Sequence, residues 1–175
     1  PARGGWENVL DQRLRVLARI ESMDKPSVAS MFGYCLGGGL ELPLACHFRL
    51  AADSGTQIGL PEMDLGTVPA WGGTVRLTRC VGRDHALDMV LRARKIDGPE
   101  ALRMGLVQSI HPITELKAAA MALAQELAEK PPLAVSGALR TILGANEKSL
   151  DEGLRNERKA FLRCAASKDQ AEGAR

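Results

Sequence analysis

The stretch GYCLGGGLE, residues 33–41, decides how this chain is interpreted, because it places three glycines directly before a leucine and a glutamate. Glycine loses more conformational freedom on folding than any other residue, so a glycine run is usually a solvated linker. A linker has polar neighbours, whereas the neighbours here are apolar: Met31, Phe32, Tyr34, Cys35, Leu36, Leu40, Leu42, Leu44 and Ala45. The glycines are therefore predicted to form a turn within the folded domain.

The residues on either side of this turn predict alternating strands and helices. Strands are predicted over 27–34, 47–52, 57–59 and 106–110, from their length and β-branched content or their alternation. Helices are predicted over 6–23, 40–46, 74–81, 84–91, 99–104, 133–144 and 149–165, with a further long helix around 116–127. The segment 61–73 is predicted to be an ordered loop. Interleaved strands and helices followed by a helical last third indicate an α/β fold with a helical C-terminal extension.

Composition narrows the possible functions. The chain has 175 residues, 45% of them hydrophobic, which suits one domain with a sizeable core. A net charge of +2 argues against nucleic-acid binding, and no apolar run approaches the roughly 18 residues of a membrane helix. Residues 1–10 lack the apolar stretch of a signal peptide. The four cysteines form no CxxC pair, which favours reduced thiols in a cytoplasmic protein and argues against a metal site.

A strand that enters a glycine turn and then a helix exposes the first free N–H groups of that helix. These groups, at the positive end of the helix dipole, suit a negative ligand or a transient oxyanion. The sequence GGGLEL has neither the G-x-G-x-x-G spacing of a dinucleotide site nor the Gly-Lys-Ser/Thr of a phosphate-binding loop. The turn is therefore a candidate oxyanion site of another kind.

Two glutamates near this turn are candidate acid–base residues. Glu41 falls in the first turn of the predicted helix, where the helix dipole alone would favour a carboxylate. Glu62 lies between Pro61 and Met63, where an exposed loop glutamate is the simpler interpretation. As a pair in apolar, glycine-containing segments, they suggest two carboxylates that divide the acid and base roles. Asp64 is a nearby competitor whose side chain is expected to point elsewhere.

Four segments carry a resemblance to a known family. KPSVASMFGYCLGGGLELPLACHFRLAAD, IGLPEMDLGTVPAWGGTVRLTRCVG, KIDGPEALRMGLVQSIHP and the closing SKDQAEG resemble the enoyl-CoA hydratase/isomerase (crotonase) superfamily over nearly the whole chain. The resemblance implies a crotonase-like spiral of ββα units over 1–110, with its upstream part absent, and a helical trimerisation region over 111–175. It also implies homotrimers, often stacked into hexamers.

The resemblance further implies roles for individual residues. Glu41 and Glu62 match the two catalytic glutamates of the hydratases, which hold a water molecule; Glu41 would help to activate it for attack on Cβ, and Glu62 would deliver a proton to Cα. Gly38 matches the residue whose N–H binds the thioester oxygen. Gly37, Leu65, Ala70 and Trp71 are weaker substrate-binding candidates. No metal or permanently bound cofactor is implied, because the substrate itself carries coenzyme A.

Some expectations concern departures from the family pattern. The family's first oxyanion donor and most adenine contacts come from an upstream segment, so a longer native protein is expected. Trp71 stands where many hydratases have a small residue, and its indole would either narrow the acyl pocket or pack outside it. Two alternatives to hydration stay open: an isomerase or decarboxylase that uses mainly Glu62, and a non-catalytic acyl-CoA-binding subunit.

Overall fold

The computed structural model describes residues 5–145, 147–167 and 169. Its internal contacts form two compact units. The first comprises the chain up to Glu21 together with Ser27–Leu123, and the second comprises Ser22–Pro26 together with the chain from Ala124 onward. The sequence predicted a domain boundary between residues 110 and 111, which lies before the division at Leu123. That boundary stays a prediction.

The first unit contains all five strands of the described residues and most of the helices. In chain order the elements are α1 (Gly5–Glu21), β1 (Val28–Met31), β2 (Tyr34–Leu36), α2 (Gly38–Ala45), β3 (Phe48–Ala52), β4 (Gln57–Gly59), a 3₁₀ helix (Pro61–Leu65), α3 (Gly73–Val81), α4 (Arg83–Leu91), α5 (Gly98–Arg103), β5 (Ser109–His111) and α6 (Ile113–Ala128). The last of these helices continues past Leu123 into the second unit. Most predicted helices are confirmed with small shifts at their ends.

Two small parallel sheets organise the first unit. One has the strand order β1-β3-β5, and the other pairs β2 with β4. In the second sheet Cys35 lies opposite Ile58 and Leu36 lies opposite Gly59. Parallel neighbours require long crossover connections, which here contain helices. This arrangement confirms the predicted α/β fold class.

The predicted strand over 27–34 is wrong as a single element. It is two strands, β1 and β2, that belong to different sheets. Gly33 lies between them with a φ of 62°, a left-handed conformation that glycine adopts at no steric cost. The periodicity of apolar residues continues through this position, so the sequence pattern alone does not show the change of sheet.

The glycine turn is shorter than predicted. Gly37 alone forms it, with a φ of 55°, while Gly38 and Gly39 already belong to α2. The carbonyl of Gly37 accepts hydrogen bonds from the N–H groups of Leu40 and Glu41, at 2.8 and 3.0 Å. The helix therefore begins at Gly38, two residues before the predicted start at Leu40. Gly38 and Gly39 form its first two positions instead of the turn.

Aliphatic side chains and methionines build the core of the first unit. The largest fully buried side chains are Met31, Leu40, Leu50, Ile58, Leu60, Leu77, Met89, Leu106 and Leu116. None of these is aromatic, as the low aromatic content predicts. Helix α2 lies inside this core, since Leu40, Glu41, Pro43, Leu44 and Ala45 are all buried. A glutamate in such a helix needs hydrogen-bond partners of its own.

Two further differences from the sequence-based elements lie next to the core. The predicted strand 106–110 begins later, at Ser109, because the N–H groups of Leu106 and Val107 donate to the carbonyl of Ala101 and not to a neighbouring strand. The predicted loop 61–73 begins with the 3₁₀ helix Pro61–Leu65, which ends at Gly66 with a φ of 68°. The rest of the segment is ordered loop, as expected.

The second unit consists of the end of α6 with two more helices, α7 (Pro132–Gly144) and α8 (Leu150–Ala165). A Cβ on Gly137 of α7 would lie 3.0 Å from the Cβ of Ala160 on α8, so the two helices pack closely there. The guanidinium of Arg140 pairs with the carboxylate of Asp24. Most of the predicted tail motif 167–173 and most of the predicted loop 1–5 lie outside the described residues. Within the described part of the chain, no helix is both long and apolar enough to span a bilayer.

Candidate active site

Glu41 is a buried carboxylate on the first turn of α2. Its side chain is only 2% exposed, so the carboxylate is buried, and the residue lies in the first turn of the helix as predicted. The helix dipole still favours a negative charge at this position. A carboxylate this deeply buried is stable only if donors surround it.

Two backbone N–H groups hold the Glu41 carboxylate. Its Oε1 accepts hydrogen bonds from the N–H of Trp71 and the N–H of Gly73, both at 2.8 Å. A Cβ on Gly73 would lie 2.8 Å from the same oxygen, so only glycine allows this approach. The loop PAWGG therefore serves as the anchor of Glu41. This role was not predicted from the sequence, although the glycine pair that ends the loop was the available signal.

Arg76 fixes the same loop from the other side. Its Nη1 donates to the carbonyl of Trp71 at 2.9 Å, while Nε and Nη2 donate to Oε2 of Glu21 at 3.1 and 2.8 Å. A Cβ on Gly72 would collide with this guanidinium. The loop is thus held through its carbonyl by Arg76 and through its N–H groups by Glu41. No motif in the sequence pointed to Arg76 or Glu21.

Glu62, in the 3₁₀ helix, brings the second carboxyl group to the glycine turn. Its Oε1 lies 3.0 Å from the position that a Cβ on Gly37 would take. Its Oε2 is buried and has no hydrogen-bond partner among the described residues. Buried polar atoms are nearly always hydrogen-bonded, so an unpaired carboxyl oxygen is a feature of sites that act on a ligand.

The two carboxyl groups have different environments. Burial raises the pKa of Glu62 above its ordinary value, and the nearby Glu41 carboxylate raises that pKa further, against the lowering effect of a hydrogen bond with the backbone of Glu62 itself. Glu41, by contrast, accepts two backbone N–H hydrogen bonds through its Oε1. Such a difference suits one acid and one base.

The glycine turn supplies the third component of the site. Gly38 is the first residue of α2, so its N–H has no acceptor within the helix. The indole of Trp71 lies against Gly38, in the space that a Cβ would occupy. An N–H at a helix start that has no acceptor within the helix can donate to an oxygen that gains negative charge during a reaction.

The four weaker substrate-binding candidates differ in whether they contact the two glutamates. Gly37 lies against Glu62, and the N–H of Trp71 donates to Glu41. Ala70 is exposed and precedes Trp71 in the anchoring loop. Leu65 lies at the end of the 3₁₀ helix and is 79% exposed. Within the described ranges, no three His, Cys, Asp or Glu side chains are grouped in a way that would hold a metal ion. The roles of all these residues stay predictions.

Comparison with known proteins identifies the family. A family model described as enoyl-CoA hydratase/isomerase matches residues 6–175. The chain is 39% identical over 155 residues to a probable enoyl-CoA hydratase of Mycobacterium tuberculosis, which covers 89% of this chain and 60% of that protein. It is 38% identical over 163 residues to the 2,3-dehydroadipyl-CoA hydratase of Escherichia coli, covering 93% and 64%. The chain belongs to the enoyl-CoA hydratase/isomerase family.

Solved structures confirm the fold. The crystal structure of an enoyl-CoA hydratase from Bacillus anthracis matches with a TM-score of 0.95 at 33% identity, covering 99% of this chain and 67% of that chain. The predicted crotonase-like fold is therefore confirmed. The chain spans about 60% of the length of the first curated relatives that it matches.

Proposed function

We propose that the complete protein is an enoyl-CoA hydratase, which adds water to a trans-2-enoyl-CoA and forms a 3-hydroxyacyl-CoA. The observation that carries this proposal is the pair of glutamates at the glycine turn, one anchored by two N–H groups and the other with an unpaired buried oxygen. Relatives at 38–40% identity bear the name enoyl-CoA hydratase, which supports the same reaction.

The geometry suggests how the roles are divided. Because Oε1 of Glu41 is already bound by Trp71 and Gly73, the other oxygen of this carboxylate is available to a water molecule. As that water attacks C3, Glu41 takes its proton and a C–O bond forms. The π electrons move toward the thioester, whose oxygen accepts a hydrogen bond from the N–H of Gly38. One oxyanion donor of this kind typically contributes about 3–4 kcal/mol.

Glu62 completes the addition. Its raised pKa keeps a larger fraction of the carboxyl group protonated than that of an exposed glutamate. It can therefore give a proton to C2 as the enolate collapses. Over the whole reaction, one C–H bond and one C–O bond form, while one π bond of the substrate and one O–H bond of water break. Exchange with solvent then returns a proton to Glu62 and removes one from Glu41, so the cycle is balanced.

The test is an assay of the complete gene product with a short trans-2-enoyl-CoA, following loss of the conjugated enoyl-thioester absorbance. Glu41→Gln and Glu62→Gln should each lower kcat by about 10²–10⁴-fold, the usual contribution of a positioned acid or base. Glu126→Gln, on the exposed part of α6, is the matched control and should leave the rate unchanged. A folded wild type that binds acyl-CoA without consuming the enoyl substrate would retire the hydratase proposal.

A crotonase-fold isomerase or decarboxylase that uses mainly Glu62 is the second candidate. The double anchoring of Glu41 favours it, because an anchored carboxylate could be purely structural while the unpaired Glu62 performs the proton transfer. A 3-enoyl-CoA substrate separates the two reactions. Its conversion to the 2-enoyl isomer without hydration would support the isomerase. Acyl-CoA binding with no turnover of either substrate would support a non-catalytic subunit.

The proposed substrate brings its own coenzyme A, and we propose that no metal or permanently bound cofactor takes part. The proposed acid, base and oxyanion donor are all groups of the polypeptide. The relative from Escherichia coli is named for a 2,3-dehydroadipyl-CoA substrate, a thioester of the same class. Activity that survives prolonged dialysis against a chelator would agree with this proposal, and loss restored by a metal would contradict it.

A homotrimer, or a hexamer of two stacked trimers, is the proposed assembly. Helices α7 and α8 expose large apolar side chains, among them Ile142, Leu150 and Phe161 at 69, 77 and 65% exposure. Burial of such side chains between copies would be favourable, and closed symmetry is usual for oligomers of one chain. Light scattering of the complete protein should give three or six chains, whereas a stable monomer would contradict the proposal.

The proposed location is the cytoplasm. Its support is the set of four unpaired cysteines, Cys35, Cys46, Cys80 and Cys164, which suits a reducing compartment. Fractionation of cells that express the complete protein checks this, and recovery with the membranes or the secreted fraction would contradict it.

A further inference from the structure

Arg76 connects two parts of the first unit that are distant in sequence through a single guanidinium group. The residue lies in α3, and its Nη1 donates to the carbonyl of Trp71 at 2.9 Å. Its Nε and Nη2 both donate to Oε2 of Glu21, the last residue of α1, at 3.1 and 2.8 Å. The Arg76 side chain is only 14% exposed, so these charge-assisted hydrogen bonds are partly shielded from water. The guanidinium is thereby fixed between α1 and the loop.

The carbonyl of Trp71 belongs to the middle one of three consecutive peptide units. The unit before it carries the N–H of Trp71, the unit after it carries the N–H of Gly73, and both of these groups donate to Oε1 of Glu41. Peptide units are rigid planes that are joined only by the φ and ψ rotations of the residues between them. A hydrogen bond that orients the middle unit therefore restricts the orientation of both donors to Glu41.

The loop needs this restraint because a glycine follows Trp71. Gly72 has a φ of 92°, and glycine moves between left-handed and right-handed conformations at little steric cost. Within the described part of the chain, no side chain caps the start of α3 at this residue. A Cβ on Gly72 would collide with Nη1 of Arg76, so the guanidinium lies directly against this glycine. Arg76 supplies the restraint that the local backbone lacks.

One face of α1 holds this arrangement. Arg13, Leu17 and Glu21 are spaced by four residues, which places them on the same side of the helix. Leu17 is buried, and the guanidinium carbon of Arg13 lies 4.1 Å from the centroid of the Trp71 ring, within the range of a cation–π interaction. The helix therefore contacts the ring of Trp71 through Arg13, and it reaches the carbonyl of Trp71 through Glu21 and Arg76.

We infer that Arg76 is a positioning residue for Glu41, and that Glu21 is a positioning residue for Arg76. Among the hydrogen bonds of the described residues, neither side chain is bonded to Glu41 itself, so the effect passes through the backbone of the loop 69–73. The inference rests on the proposed function, because it assumes that Glu41 activates the attacking water. It adds α1, an element that carries none of the proposed catalytic groups, to those on which the reaction depends.

A loosened loop should impair the chemical step more than it impairs substrate binding, because attack by water requires close alignment and thioester binding does not. We expect Arg76→Gln to lower kcat by about 10–100-fold with little change in KM. Glu21→Gln should lower kcat by less, because Arg76 keeps its hydrogen bond to the carbonyl of Trp71. Arg76→Lys should retain more activity than Arg76→Gln, since an ammonium group can still donate to one of the two acceptors.

The experiment measures hydration of trans-2-butenoyl-CoA by the complete protein, at steady state and in single turnovers with the enzyme in excess. Arg76→Gln is made both in the wild type and in the Glu41→Gln variant, and thermal unfolding checks that every variant is folded. Arg83→Gln is the matched control, because Arg83 also pairs with a carboxylate, that of Asp84, but the two side chains are 83 and 88% exposed. The control should keep the kcat and KM of the wild type.

The Glu41→Gln background separates a positioning role from a general structural one. Once the carboxylate of Glu41 is gone, its orientation no longer affects the rate, so Arg76→Gln should cause no further loss there. A residue that only stabilised the fold would lower the rate by the same factor in both backgrounds.

Three results would overturn the inference while the proposed function stands: a folded Arg76→Gln with the kcat of the wild type, an effect on KM alone, or an equal loss of rate with and without the Glu41 carboxylate. If Arg76→Gln does not fold, Arg76→Lys and Glu21→Gln decide: a lowered kcat at unchanged KM supports the inference, and a wild-type kcat in both contradicts it. A wild type that binds acyl-CoA but hydrates no enoyl-CoA would remove the proposed function and the inference together.

Discussion

Glu62 has a carboxyl oxygen that is buried without a hydrogen-bond partner among the described residues, and burial raises its pKa. Both properties cost stability in the folded state when the carboxyl group ionises. A residue that only stabilised the fold would be expected to find a hydrogen-bond partner or a solvated position. The cost is explained if the oxygen faces a substrate or a water molecule during the reaction.

This cost predicts how stability depends on pH. The folded-state pKa of Glu62 lies above its ordinary value of 4.5, so its favourable contribution is complete below that value and is lost as the pH rises through the folded pKa. Glu62→Gln removes this dependence. We therefore expect the stability of the wild type relative to Glu62→Gln to fall as the pH rises above 4.5, in urea unfolding followed by circular dichroism.

Glu126→Gln again serves as the exposed control and should show no such trend. A difference between wild type and Glu62→Gln that is constant, or that increases with pH, would contradict the raised pKa.

Gly73 offers a second test at the residue scale. A Cβ there would lie 2.8 Å from both Cγ and Oε1 of Glu41, so Gly73→Ala must push the anchored carboxylate out of place. We expect a loss of about 1–3 kcal/mol in the free energy of unfolding, as for other overpacked positions. The rate of hydration should fall as well, because Glu41 loses its orientation.

Chemical denaturation and the enoyl-thioester assay measure the two effects. Gly153→Ala is the control for the activity assay, because its Cβ would meet open space. Unchanged activity in Gly73→Ala would contradict the proposed role of the Glu41 anchor.

The sequence indicated candidate acid–base residues but not the groups that support them. Glu41 and Glu62 were predicted from their apolar, glycine-containing surroundings; the structure places the Glu62 carboxyl group beside Gly37 and the Glu41 carboxyl group beside Gly73, and their catalytic roles stay predictions. The N–H donors of the PAWGG loop were missed because a backbone hydrogen bond to a distant side chain leaves no pattern in the sequence. The clamp between Arg76 and Glu21 was missed for the same reason, since ordinary charged residues on helices carry no such signal.

Among the elements, the strands were the least predictable. Each is only three to five residues long, and the change of sheet between β1 and β2 depends on one glycine with a positive φ. Apolar periodicity distinguishes long amphipathic helices far better than such short buried strands. The helices α3, α4 and α6 to α8 were therefore found close to their observed limits, whereas the strand at 27–34 was wrong.

The packing of α7 on α8 gives a prediction at the element scale. Gly137 faces Ala160 so closely that a Cβ would lie 3.0 Å from the Ala160 Cβ. Gly137→Leu should separate the helices locally and lower the free energy of unfolding by about 1–3 kcal/mol. Gly153→Ala, in the interior of α8 with open space around it, should instead raise the free energy of unfolding by about 0.5–1 kcal/mol.

Urea unfolding of the complete protein measures both changes. A lower free energy of unfolding for Gly137→Leu together with a higher one for Gly153→Ala would confirm that α7 and α8 make close contact at Gly137. A neutral or stabilising Gly137→Leu would show that the contact is not formed in solution.

At the scale of the whole molecule, the candidate site lies within the first unit: Glu41, Glu62, Gly37, Gly38 and Trp71 all belong to it. The second unit is helical and carries the exposed apolar residues on which the proposed assembly depends. Family membership could be inferred from the sequence because several motifs occur in the family's order. The acyl chain length of the substrate could not be inferred, because no motif in the sequence indicates it.

The most direct test of the central claim is to identify the product and the origin of its new atoms. The complete protein is incubated with trans-2-butenoyl-CoA in heavy-oxygen water and, separately, in deuterium oxide, and the product is analysed by mass spectrometry and NMR. We expect 3-hydroxybutanoyl-CoA with the labelled oxygen on C3 and a single deuteron on C2, formed much more slowly by Glu41→Gln and Glu62→Gln. Recovery of a shifted double bond without labelled oxygen, or of unchanged substrate from a protein that binds it, would contradict the two-glutamate hydratase.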